Sequence, residues 1–76
     1  MRAIFGNGEI VTTQNSAFRF AWKSEWKSHY ALKRYDESRY GFSRTADNAE
    51  SNAWAAANMG RACGAQNCKI EIARLY

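Results

Sequence analysis

Small residues recur at helical spacing between Thr45 and Gly64, the only stretch that is long and periodic enough to predict a helix. At about 100° per residue, five small side chains fall within a band of roughly 80° on one face. These are Ala49, Ala53, Ala56, Gly60 and Cys63. Such a stripe cannot fill space by itself, so it must pack closely against bulkier side chains. The pattern predicts a helix over about residues 46–62, packed on one face of a sheet.

Two residues are candidates for the N-cap of this helix. Asp47 with Glu50 three residues later has the spacing of a capping box, and Thr45 is a second candidate just upstream. Gly64 is the expected C′ residue, because glycine adopts the left-handed backbone that ends many helices. The sequence leaves the choice between the two N-caps open.

Alternation of apolar and polar residues predicts strands on both sides of the helix. Asn7-Gly8 between apolar residues indicates an N-terminal hairpin. Residues 18–23 alternate aromatic residues with basic or small ones, which places the aromatic side chains on one strand face. Residues 68–72 alternate in the same way and predict a last strand.

Two turns are predicted in the middle of the chain, one around Trp26 at residues 24–28 and one at residues 36–38. The second is polar and lies between Tyr35 and Tyr40, which favours a second hairpin. Tyr40 and Phe42 would then share the inward face with the earlier aromatic residues. The fold class predicted is α+β, a single domain over residues 1–76. Its antiparallel sheet has three to five strands and one helix, in the order β-β-β-(β)-α-β.

Composition and charge limit the classes of function. With 46% hydrophobic and 14% aromatic residues, the 76-residue chain is expected to fold as one small domain. The net charge of +4 favours acidic partners. The N-terminus lacks the apolar run of a signal peptide, and no stretch approaches the roughly 20 apolar residues of a membrane span. The sequence predicts a cytoplasmic protein without a membrane partner, and a secreted form is the alternative.

Catalytic and metal-binding signatures do not emerge from the sequence. His29 is the only histidine and has no triad spacing around it, and adjacent carboxylates at Asp36-Glu37 would point apart. Together with Cys63 and Cys68, His29 gives three soft ligands, whereas a structural zinc site needs four. We therefore expect no enzymatic activity, no cofactor and no metal. We expect Cys63 and Cys68 to lie near each other, because only four residues join the helix end to the next strand. Whether this possible disulfide forms depends on the compartment.

Basic residues interleaved with aromatic residues form the candidate binding surface. Cations beside stacking residues on an open sheet are typical of single-stranded nucleic-acid binders. In the simpler interpretation the aromatic side chains form the core and the cations lie on the solvated outer face. Trp54 lies opposite the small-residue stripe, so it is either an exposed interface residue or packs over the sheet edge onto the N-terminal hairpin. The predicted partner-binding residues are Arg19, Lys23, Lys33, Arg39, Trp54 and Arg61.

Short motifs in the second half of the chain are similar to those of a family of small secreted bacterial domains of unknown function. They are the segment Tyr40–Ser43 (YGFS), the helix alanines, Cys63-Gly64 and Cys68. In that family a Y-G-x-S strand precedes an alanine-rich helix and a Cys-Gly turn, and the cysteine pair is bridged. Over residues 40–73 the resemblance implies a Cys63–Cys68 disulfide and no activity.

In size and style, a single α+β domain without catalytic residues, the chain also resembles small phage inhibitor proteins of the anti-CRISPR type. That resemblance implies a non-enzymatic protein that binds and blocks a host machine, a host protein or ribonucleoprotein with an acidic surface. Three hypotheses follow: such an inhibitor, a direct binder of single-stranded nucleic acid, and a secreted disulfide-clipped domain. The sequence favours the first and does not predict the oligomeric state.

Overall fold

The computed structural model describes the backbone of residues 1–61 and 66–76, and within these ranges all side chains except those of residues 29–30, 60–61 and 66–67. One helix and five strands follow each other along the described chain. They are β1 (Arg2–Ile4), β2 (Ile10–Thr12), β3 (Phe20–Tyr30), β4 (Lys33–Ser43), α1 (Ala46–Arg61) and β5 (Gln66–Arg74). The predicted α+β class and the packing of the helix on the sheet are confirmed.

The strands form two antiparallel sheets, a β1-β2 hairpin and a three-stranded sheet in the order β4-β3-β5. Strand β3 is central and pairs with both neighbours, with a bulge against β5 between Glu25 and Lys27. Arg2 and Tyr76 exchange two backbone hydrogen bonds of 2.9 Å, which joins β1 to the end of the chain. The two sheets are therefore linked through the C-terminal residue.

Helix α1 begins after Thr45, which is the N-cap. The Thr45 hydroxyl accepts a hydrogen bond from the Asn48 amide (3.1 Å), and the Thr45 carbonyl accepts one from the Ala49 amide (3.0 Å). The capping-box prediction with Asp47 as the cap is wrong, since Asp47 lies inside the first turn. Gly64 lies outside the described residues, so its C′ role stays a prediction.

The predicted small-residue stripe faces the sheet. Ala49, Ala53 and Ala56 are buried, and Ala57, which the stripe did not include, is buried with them. Asn52 donates a hydrogen bond from Nδ2 to the Ser43 hydroxyl (3.0 Å), so the helix covers the sheet face that carries Ser43. Gly60 belongs to α1, but its burial is not described, and Cys63 lies outside the described residues.

Strand register assigns the remaining side chains to faces, because residues that pair directly share a face. Phe20 pairs with Ser43 and Trp22 with Gly41, so these residues lie on the helix face. Ala21 pairs with Phe42 and Lys23 with Tyr40, which places Phe42 and Tyr40 on the opposite face. The prediction of one inward face carrying Phe20, Trp22, Tyr40 and Phe42 together is wrong. These aromatic residues are divided between the two faces.

The β1-β2 hairpin covers the face opposite α1. Five residues, 5–9, connect its two strands. The Phe5 amide donates a hydrogen bond to the Glu9 carbonyl, and the Gly8 amide donates one to the Phe5 carbonyl, both 2.9 Å. The loop itself is therefore residues 6–8, with Gly8 at φ 88°. A glycine at positive φ after a tight turn is the usual form of a three-residue hairpin loop. The predicted N-terminal hairpin is confirmed. Below it lies a small core of Ala3, Phe5, Ala21 and Leu75, with Val11, Phe18, Phe42 and Ala73 packed around it.

The β3-β4 hairpin turns at Ala31 and Leu32, a position that the sequence analysis did not predict. Both residues have positive φ, 51° and 69°, as a type I′ hairpin turn requires. The predicted turn at residues 24–28 is wrong because β3 continues through it. The predicted turn at residues 36–38 is also wrong, since these residues pair in β4 with Lys27, Trp26 and Glu25.

Candidate binding surfaces

Lys23 is buried, although the sequence analysis placed it on an exposed basic face. Only 5% of the residue is exposed. Its Nζ lies 2.7 Å from Oε1 of Glu25 and 3.0 Å from Oε1 of Glu9, and 5.6 Å from the centre of the Phe5 ring. Glu9 also accepts a hydrogen bond from the Tyr40 hydroxyl at 2.7 Å. Lys23 therefore fastens the β1-β2 hairpin to the sheet and does not face a partner.

The charge states of this cluster stabilise each other. The hydrogen bond to Glu25, and then that to Glu9, raises the pKa of Lys23 to about 12 in spite of burial. The hydrogen bond from Tyr40, followed by that from Lys23, lowers the pKa of Glu9. Both shifts favour the ionised forms, so the cluster keeps its charges near neutral pH.

The exposed cations of the prediction lie far apart. Arg19 precedes β3 and its amide donates to the Ser43 carbonyl, at the end of the sheet where β4 finishes. Lys33 begins β4 at the other end, about 33 Å away at roughly 3.3 Å per residue. Arg39 lies between them on the helix face. The predicted single basic face with Arg19, Lys23, Lys33 and Arg39 is thus not formed.

Two predicted residues fall wholly or partly outside the described structure. The Arg61 side chain is not described, so its part in binding stays a prediction. Cys68 is half-buried on β5. Cys63 lies outside the described residues, so the Cys63–Cys68 disulfide stays a prediction.

Trp54 lies on the solvent side of α1. Trp54 is 39% exposed and borders a shallow cavity of about 480 Å³. The cavity is lined by Asp47, Glu50, Ser51, Trp54, Ala55 and Asn58, all of them on the helix. The alternative prediction, that Trp54 packs onto the N-terminal hairpin, fails because that hairpin covers the opposite face of the sheet. Met59, 62% exposed, adds a second large apolar side chain to the helix surface.

The far end of the β3-β4 hairpin projects beyond the helix. Strands of 11 residues span about 36 Å, whereas a 16-residue helix spans about 24 Å. Residues 31–40 are all exposed, and Leu32 at the turn is exposed completely. This projection was not predicted from the sequence. The signal was present in residues 33–39, where charged residues at successive positions indicate a strand that is solvated on both faces.

Within the described ranges, no group of three or more acidic, histidine or cysteine side chains is arranged to hold a metal ion. No described helix has both the length and the apolar character needed to cross a membrane. Comparison with known proteins finds no match to a family model, to a curated protein or to a solved structure.

Proposed function

We propose that this is a non-enzymatic binding protein that inhibits or modulates a host macromolecular machine, as the small phage inhibitors do. The observation that carries the proposal is Trp54, a large aromatic side chain left 39% exposed on the helix surface beside a shallow cavity. Tryptophan is enriched among the residues that dominate binding energy at protein interfaces. The solvent face of α1 is accordingly the surface that meets the partner.

The surroundings of Trp54 specify part of the partner's chemistry. Asp47 and Glu50 line the cavity next to the indole, and Ser51 and Asn58 add polar groups at its rim. An apolar anchor surrounded by polar groups is the usual arrangement of an interface centre. The matching patch on the partner has an apolar or aromatic group to cover the indole and a cation to face the two carboxylates.

The net charge of +4 acts at longer range. Arg19, Lys33 and Arg39 are exposed and distributed along the sheet, so they raise the rate of approach to a partner that is acidic overall. A host protein or ribonucleoprotein with an acidic surface and a local cationic site fits both requirements.

Binding is tested by a pull-down from bacterial lysate with the parent protein, Trp54→Ala and Tyr76→Ala, each with and without nuclease. Tyr76 is a matched control because it is another exposed aromatic residue, 66% exposed, away from the helix. We expect Trp54→Ala to lose the captured partner and Tyr76→Ala to retain it. Capture that disappears only after nuclease treatment would favour the nucleic-acid hypothesis.

Stability separates an interface role for Trp54 from a structural one. Removing a partly exposed side chain on the solvent side of the helix is expected to cost less than about 1 kcal/mol, whereas truncating a core tryptophan costs about 3–5 kcal/mol. Thermal melts of the parent and of Trp54→Ala measure the difference. A melting temperature far below the parent's, or unchanged capture by a folded Trp54→Ala protein, would contradict the proposal.

A further inference from the structure

Strand β4 is an edge strand, and its outer side carries no partner strand among the described residues. It pairs only with β3, and its residues 33–40 are all exposed. An unpaired strand of 11 residues offers a row of backbone donors and acceptors to another strand. The charged side chains of β4 limit which strand can pair with this edge and in which register.

The register of the β3-β4 hairpin fixes which backbone groups point outward. Tyr30 pairs with Lys33 across the two-residue turn, so the odd-numbered residues of β4 direct their amides and carbonyls toward β3. The hydrogen bond from the Arg19 amide to the Ser43 carbonyl agrees with this pattern. The even-numbered residues direct theirs outward, so a second β4 strand must place even positions opposite even positions.

The charge order along the first half of β4 is self-complementary. Residues 33–37 read Lys-Arg-Tyr-Asp-Glu, two cations, a tyrosine and two anions. In antiparallel pairing centred on Tyr35, Lys33 lies opposite Glu37 of the second copy and Arg34 opposite its Asp36, and each pair occurs twice. Opposite charges directly across paired strands stabilise the pairing.

The neighbouring registers that satisfy the even-to-even condition bring like charges together. When the pairing is centred on Asp36, the two Asp36 carboxylates lie directly opposite each other. When it is centred on Glu37, the two Glu37 carboxylates do. Charges directly opposite each other on paired strands are destabilising when they have the same sign. Like charges therefore disfavour these two registers relative to the one centred on Tyr35.

We propose that the protein forms a homodimer by antiparallel pairing of β4 with β4 of a second copy, centred on Tyr35. Glu37 is already held by a hydrogen bond from Trp26 Nε1 to its Oε2 (2.6 Å), which leaves Oε1 for Lys33 of the second copy. The dimer has one six-stranded sheet, with both α1 helices on the same face. This proposal goes beyond the proposed function and does not rest on it, because it uses none of the Trp54 surface.

Sedimentation analysis over a concentration series, on purified protein alone, tests the dimer with Lys33→Glu and Glu37→Lys. Each single variant places like charges opposite each other in its own homodimer, so its self-association weakens at least tenfold. An equimolar mixture restores association, because the mixed dimer pairs residue 33 of one chain with the opposite charge at residue 37 of the other. A monomeric parent at all concentrations, or a mixture that stays monomeric, would overturn the proposal.

Cysteine crosslinking tests the register. Residues at the dimer axis in a non-hydrogen-bonded pair have Cα atoms about 4.5 Å apart, within the disulfide range of roughly 4.4–6.8 Å. Under oxidation Tyr35→Cys is expected to give a covalent dimer through residue 35, mapped by mass spectrometry, whereas Ser38→Cys is not. Ser38 would lie on the axis if Glu37 paired with Arg39 instead, so crosslinking of Ser38→Cys alone refutes the Tyr35-centred dimer.

Discussion

The indole of Trp22 lies directly over Gly41 on the neighbouring strand. A Cβ atom added at Gly41 would lie 2.3 Å from the indole ring, far inside normal contact. Glycine is thus required at this position for packing, because only the absence of a side chain lets the ring cross the strand. The Trp22–Gly41 pair is part of the thin layer between α1 and the sheet.

We predict that Gly41→Ala lowers the free energy of unfolding by about 1–3 kcal/mol, the usual cost of overpacking. Gly6→Ala is the control, since its Cβ would meet only the Glu71 carboxylate at 3.4 Å. Urea denaturation of the two variants and the parent measures the difference. Equal stability of Gly41→Ala and Gly6→Ala would show that the indole moves aside without cost.

At the scale of the element, the helix was predictable and the central hairpin was not. The period of small residues predicted a helix from about residue 46, where α1 begins, and the angle of Trp54 around the helix gave its exposed side. Ala31 and Leu32 gave no turn signal, because left-handed backbone is unfavourable for both residue types. The polar residues 36–38 resembled a turn, whereas they belong to an exposed edge strand.

The misplaced turn explains why the candidate surface was only partly predicted. Strand side chains alternate with a period of two, so an error in register exchanges the two faces. Placing the turn at residues 36–38 assigned Tyr40 to the inward face beside Trp22, whereas the true register pairs it with Lys23. Burial of Lys23 further depends on Glu9, a partner from another layer that no local pattern reveals.

Helix α1 provides a matched pair of substitutions. Ala53 is completely buried against the sheet, whereas Ala55 is exposed. We expect Ala53→Leu to destabilise the fold by about 1–3 kcal/mol through overpacking, and Ala55→Leu to change stability by less than about 0.5 kcal/mol. Thermal denaturation compares them. Similar melting temperatures for both variants would contradict close packing of the helix on the sheet.

At the scale of the whole molecule, the Lys23 cluster makes the attachment of the β1-β2 hairpin depend on pH. The pKa of Glu9 is lowered in the folded state, so its contribution is present above its unfolded pKa of about 4.3 and is lost as pH falls through the folded value. The pKa of Lys23 is raised to about 12. Its contribution is complete below an unfolded pKa of about 10.4 and is lost as pH rises through the folded value.

We predict that Glu9→Gln is less stable than the parent at neutral pH and that the difference shrinks on acidification. Urea denaturation at about pH 7 and about pH 3 measures this, the second value lying below the unfolded pKa of glutamate. Tyr40→Phe removes the largest cause of the shift, so NMR titration should show a higher pKa for Glu9. A parent-to-variant difference that is equal at both pH values would exclude the cluster as the source.

The paired backbones of Arg2 and Tyr76 place the two ends of this chain side by side. Residues that exchange both hydrogen bonds have Cα atoms about 5.5 Å apart, so a short glycine linker can join residue 76 to residue 1. New ends opened between Ala31 and Leu32 would remove the need for two left-handed residues at the hairpin turn. Circular permutation at this point should preserve the fold, as judged by NMR chemical shifts, and would leave the β4 edge free of a turn at its beginning.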